Sequence, residues 1–146
     1  MTTLSLQQAS RIVDLTLDRA HELGVNPLTV AVLDGGGHLV AFKRQDRSGI
    51  LRPEIAFGKA WGALGMGLGG RAPAHRAEAA PAFFIALASA SRGRVIPVAG
   101  GVLILDANKE VIGAVGVSGD QPGNDEICAI YGIEKAGLMA DPGQIH

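Results

Sequence analysis

The residues with the clearest chemical possibilities lie between Pro53 and Gly69, where Glu54, Lys59 and Trp61 alternate with Gly58, Gly62, Gly65 and Gly69. On a helix of 3.6 residues per turn those glycines fall at i, i+4, i+7 and i+11, one narrow face without side chains. Each interior glycine costs a helix roughly 0.5–1 kcal/mol relative to alanine, so the strip predicts a groove filled by a helix, a sheet or a planar ligand. Glu54 lies one turn before Gly58, and Trp61 about one turn beyond it on the same side. A carboxylate there could act as a general base or hold the polar end of a ligand. It could equally be a first-turn glutamate favoured by the helix dipole. Lys59 projects about 100° from Gly58, toward an edge of the groove or into solvent.

Other groups carry narrower possibilities. Arg44, with Asp46 and Arg47, follows an apolar run and could reach a carboxylate from a loop, or could simply be solvated. His21, His38, His75 and His146 show no paired zinc-type spacing, so no structural metal is expected. Asp34 with Gly35, Gly36 and Gly37 reads as a turn, since a phosphate loop needs a strand-to-helix junction. Asp125 and Glu126 follow a polar loop at a helix start, where free amides favour negative charge. The single cysteine, Cys128, is read as a small buried hydrophobe rather than a helix-terminal thiolate. No Ser-His-Asp or Cys-His set stands at a recognisable spacing.

The elements that must position these groups follow from periodicity and breakers. Ser5 and Gln8 form a capping box before Leu6, Ala9, Ile12, Val13, Leu17, Ala20 and Leu23, which recur at helical spacing until Gly24. Leu28–Leu33 and Leu39–Phe42, joined by the three glycines, read as a β-hairpin. Pro53 opens a helix running to about Leu68, Arg71–Ala80 is a connector or short helix, and Pro81 opens a third helix read as core. Val102–Leu105 and Val111–Val117 form a second hairpin around an Asp-Ala-Asn-Lys turn, and Asn124 or Asp125 caps a last helix. The order α-β-β-α-α-β-β-α predicts an α+β domain spanning residues 1–146 and no parallel Rossmann sheet.

Composition narrows the partners. Thirteen basic and fourteen acidic residues leave a net charge of −1, which offers no electrostatic footprint for nucleic acid or an anionic membrane. No stretch supplies ~20 consecutive apolar residues, and the charged first twenty positions lack the apolar centre of a signal peptide, so a cytoplasmic location is expected. With 47% hydrophobic residues but only 4% aromatic, and 21 glycines, close backbone approach is expected to build much of the core.

Several segments together resemble the GlcG/HbpS-type family, which includes the C-terminal domain of PduO-type proteins. They are Val30–Phe42, Glu54-Ile55-Ala56 with Lys59-Ala60, Gly100-Gly101-Val102, and Val111–Gly119 with Asp125-Glu126. The resemblance covers nearly the whole chain. It implies an antiparallel sheet of about five strands flanked by helices, related to profilin-like folds, and homo-oligomeric rings of up to eight subunits. It also implies a small-molecule ligand, haem above all, with a haem-degrading or sensing role. Haem can be ligated by one histidine, so His21, His38 and His75 become candidates beside a pocket formed by Gly58, Trp61 and Gly62. The chain departs from the family at Leu103, where proline is frequent, and at Trp61, where a polar residue is common. The alternative expectation is a cofactor-independent isomerase or lyase on a small oxygenated acid. In it Glu54 moves a proton and Arg44 or Lys59 holds the carboxylate.

Overall fold

A computed structural model of the chain describes residues 3–144, so His146 lies outside the described residues. The elements are α1 (Leu6–Leu23), β1 (Thr29–Asp34), β2 (Leu39–Arg44), α2 (Arg52–Met66), α3 (Arg71–Ala79), α4 (Pro81–Ala90), β3 (Gly101–Leu105), β4 (Val111–Ser118), α5 (Pro122–Lys135) and β5 (Met139–Asp141). The expected order holds, with the connector after α2 resolved as α3 and a fifth strand added after the last helix. That strand has three residues and sits at the sheet edge, too short to show a period in sequence.

All strand pairs are antiparallel, in the order β2-β1-β4-β3-β5. Alternation along each strand sends successive side chains to opposite faces. Val30, Val32, Val102, Ile104, Val115 and Val117 pack with Ile12 and Val13 of α1 and Cys128 and Ile133 of α5. Leu33, Leu103 and Ala114 meet Ala60 and Ala63 of α2 on the other face. Glycines of the sheet set how closely α2 approaches. A β-carbon built on Gly116 would strike the carbonyl of Ala56, and one on Gly101 the carbonyl of Lys59.

Helix ends obey local chemistry. Both halves of the Ser5–Gln8 capping box are present, and Gly24 closes α1 at a φ of 66°. Helix α2 stops at Met66 because Gly67 takes a left-handed φ of 70°, two residues before the expected end. Helix α5 starts at Pro122, before either expected cap, because the Asp125 carboxylate turns inward to accept from the Asp120 N–H and from Lys59.

Helix α4 corrects the expectation of a core helix. None of its residues is buried, and Phe83 and Ile85 remain 56% and 72% exposed. Apolar character all round predicts burial, but within one chain α4 packs chiefly against α3. No helix among the described residues is long and apolar enough to cross a membrane.

Candidate functional site

The N-terminal turn of α2 faces the β1–β2 hairpin across a cavity of about 440 Å³. Its wall is apolar: Ala31 of β1, Leu39 and Phe42 of β2, and Pro53 and Phe57 of α2. Proline at the first turn needs no N–H partner, which fixes where α2 begins and aims Glu54 and Phe57 at this space. The polar groups are Glu54 of α2 and Arg92 and Arg94 of the segment after α4. The volume falls within the range of pockets that hold drug-sized ligands.

The strip expected to form the groove is not open. A β-carbon on Gly58 would collide with the Ile96 side chain, and one on Gly62 would stand 3.3 Å from both the Ile96 nitrogen and Val95 Cγ1. The Ile96 N–H also donates to the Gly58 carbonyl at 3.1 Å. The partner that these glycines predict is therefore the chain's own Val95–Ile96 segment. Gly65 meets nothing within 4 Å, and Gly69 lies beyond the end of α2 against the Pro142–Gly143 backbone. The cavity adjoins the strip at its Glu54 end. Trp61 sits half-buried one step away, with the Arg94 guanidinium 4.2 Å from its ring centroid. Arg94 thus links the indole to the cavity that Glu54 lines.

Lys59 is neither solvated nor at the groove edge. Its side chain is 3% exposed, and Nζ donates to the Val117 carbonyl at 2.8 Å and to Asp125, itself 1% exposed, at 3.1 Å. Burial pushes the lysine below its ordinary pKa, and the Asp125 charge only partly restores it. Burial likewise pushes the Asp125 carboxyl above the ordinary carboxylate value, against the pull of Lys59. The second residue of that acidic pair, Glu126, is buried and meets Arg71 of α3, with its other oxygen unpartnered among the described residues.

The remaining candidates are dispersed. Arg44 and His21 share a different, more open cavity with Gln45 and Asp46, and the Arg44 guanidinium donates to the Ser48 carbonyl at 2.6 Å. His38 is exposed and pairs with Asp34 at 3.0 Å. Burial raises the Asp34 carboxyl, but hydrogen bonds from the His38 and Gly36 N–H groups and the His38 ring outweigh it and hold the group below its usual range. His75 is exposed on α3. Glu54, Lys59 and Arg44, expected to share a reaction, therefore stand in three separate environments. No group of three or more His, Cys, Asp or Glu side chains that could hold a metal occurs among the described residues.

Sequence reasoning missed Arg92 and Arg94. The available signal is that they are the only charges between Glu78 and Asp106. It missed Leu39, Phe42 and Phe57 as cavity walls because half-buried apolar residues look alike in sequence.

Comparisons with known proteins meet this geometry. A family model described as "Haem degrading protein HbpS-like" matches residues 4–134. A crystal structure of a PduOC:heme complex is 25% identical, with a TM-score of 0.80 over 98% of this chain and 100% of that one. A crystal structure of HbpS is 25% identical, with a TM-score of 0.79 over 92% of this chain and 91% of that one. A 15.0 kDa protein of Citrobacter freundii, from the dhaT-dhaS intergenic region, is 26% identical over 88% of this chain and 89% of its own length.

Proposed function

This chain belongs to the HbpS-like family, and from that premise we propose that it binds a planar apolar ligand with carboxylates on one edge, haem being the named choice. One observation carries the reading: an apolar cavity whose rim bears the only two charges of a long uncharged stretch, Arg92 and Arg94. Guanidinium groups match carboxylates in a bidentate fork, and Leu39, Phe42, Pro53 and Phe57 offer apolar surface for a ring. Among the described residues no histidine lines this cavity, so the reading takes the Glu54 carboxylate as the candidate iron ligand on its wall in preference to His21, His38 or His75. Bound haem would supply iron chemistry, while the chain's residues hold its faces, clamp its carboxylates and keep water from the apolar wall. The isomerase or lyase reading gains no support from its assigned carboxylate holders, since Arg44 lines another cavity and Lys59 is buried against Asp125, away from Glu54. The test is a hemin titration followed in the Soret band. A saturable shift at micromolar hemin supports the reading, and a shift that rises linearly without saturation refutes it.

The reading includes a homo-oligomer. Helix α4 and its flanks carry no charge from Ala79 to Ser91, so apolar contact must select what covers them. A second copy laid on α4 would cover the exposed Phe83 and Ile85.

A further inference from the structure

Arg94 is an exposed arginine, yet two contacts fix it. Its guanidinium stacks on Trp61 at 4.2 Å, and its Nε donates to the Ser91 carbonyl at 2.9 Å. Using Nε in this way leaves the two terminal amino groups free to meet a carboxylate together. The indole is itself held. Gly37 closes the β1–β2 turn at a φ of 81°, and a β-carbon there would stand 3.0 Å from the indole Nε1. Only glycine lets that turn lie against the ring. Arg92 has no comparable stacking or hydrogen-bond clamp among the described residues.

We infer that Trp61 is a positioning residue, which presets Arg94 as a carboxylate clamp and makes the cavity select edge-carboxylated ligands over the same ring system esterified. The inference rests on the ligand reading above and deepens it. A free arginine on a flexible stem must lose rotamer freedom when a ligand arrives. One already stacked and hydrogen-bonded has lost it beforehand, so the carboxylate contact gains affinity without any contact between Trp61 and the ligand. Phenylalanine at the position keeps an aromatic face for the cation, and leucine does not.

The experiment uses metal-free mesoporphyrin IX and its dimethyl ester as probes, with binding read from porphyrin fluorescence. The proteins are the full chain, Trp61→Phe, Trp61→Leu, Arg94→Gln, and the Trp61→Leu/Arg94→Gln pair, each checked for native circular dichroism. Trp61→Leu should weaken mesoporphyrin by about two- to tenfold, the cost of ordering one long side chain on binding. Trp61→Phe should restore most of that loss. In the Arg94→Gln background Trp61→Leu should change nothing further, and each substitution should weaken the diester less than the diacid. Because Trp61 is the only tryptophan, Arg94→Gln should also shift its emission with no ligand present. Equal losses from Trp61→Leu with and without Arg94, or wild-type affinity in Trp61→Leu, would overturn the positioning role and leave the pocket reading standing. Absence of any mesoporphyrin or hemin binding by the unaltered chain would overturn both.

Discussion

Replacing Lys59 with methionine tests whether the buried ion pair is held by mutual neutralisation. Methionine keeps most of the stem volume but leaves the Asp125 carboxylate, 1% exposed, without its cation. Breaking a buried pair from one side costs about 3–5 kcal/mol. Against the roughly 5–15 kcal/mol that holds a domain of this size, this is a large fraction of the total. With a urea slope of about 2 kcal/mol/M, the midpoint should fall by about 2 M. Adding Asp125→Asn removes the stranded charge, while Oδ1 can still accept from the Asp120 N–H. The double variant should therefore recover about half of the loss or more, the residue being the Val117 carbonyl that lost its donor. The pH dependence has a definite sign. Asp125→Asn alone removes the charge that raises Lys59, whose pKa burial already lowers. Above the folded-state value and below the unfolded one the unfolded chain then binds more protons, so stability rises with pH up to about 10.5, more steeply than in the parent. Urea melts followed by far-ultraviolet circular dichroism supply these numbers. Additive losses in the double variant would refute the argument, since the two side chains would then not be acting on each other.

Four shorter predictions follow the packing. Gly65→Ala should stabilise by about 0.5–1 kcal/mol, since nothing lies within 4 Å of its missing β-carbon. Gly116→Ala should cost about 1–3 kcal/mol or more through its clash with Ala56, and thermal melts separate the two. Cys128 is fully buried, and burial, with the Asp125 charge, pushes its thiol up to about 11. It should stay inert to a thiol reagent at pH 8 and react at the rate of unfolding, with prompt labelling of the native protein as the contrary result. The mass by sedimentation equilibrium should be at least twice 15.0 kDa, and Phe83→Glu/Ile85→Glu should lower it, whereas a monomeric parent would sink the α4 contact.

Much of the fold is legible because its signals are local. The Ser5–Gln8 box, the glycine turn at Gly35–Gly37 and the short apolar, β-branched runs of β1, β3 and β4 each need only a few neighbouring residues. The site is less legible because its parts are distant. Periodicity reveals that the Gly58–Gly62 face must be covered, but it carries no information on the occupant, which arrives from Val95 and Ile96. Lys59 and Asp125 lie 66 residues apart, and nothing near either one marks it as buried. Arg92 and Arg94 become part of the cavity only because the chain after α4 returns across α2. The α4 error has another cause: an apolar helix signals a need for burial, while the surface that meets the need can belong to another molecule.

The account is tested most directly by hemin affinity in variants that alter the cavity without touching the core. Leu39→Glu places charge on an exposed part of the apolar wall, and Arg92→Gln/Arg94→Gln removes the rim cations. The expected result is one saturable site per chain, weakened about tenfold or more in each variant and unchanged in His21→Ala, whose side chain lines the other cavity. Wild-type affinity in both cavity variants together with loss in His21→Ala would contradict it and move the ligand to the opposite end of β2.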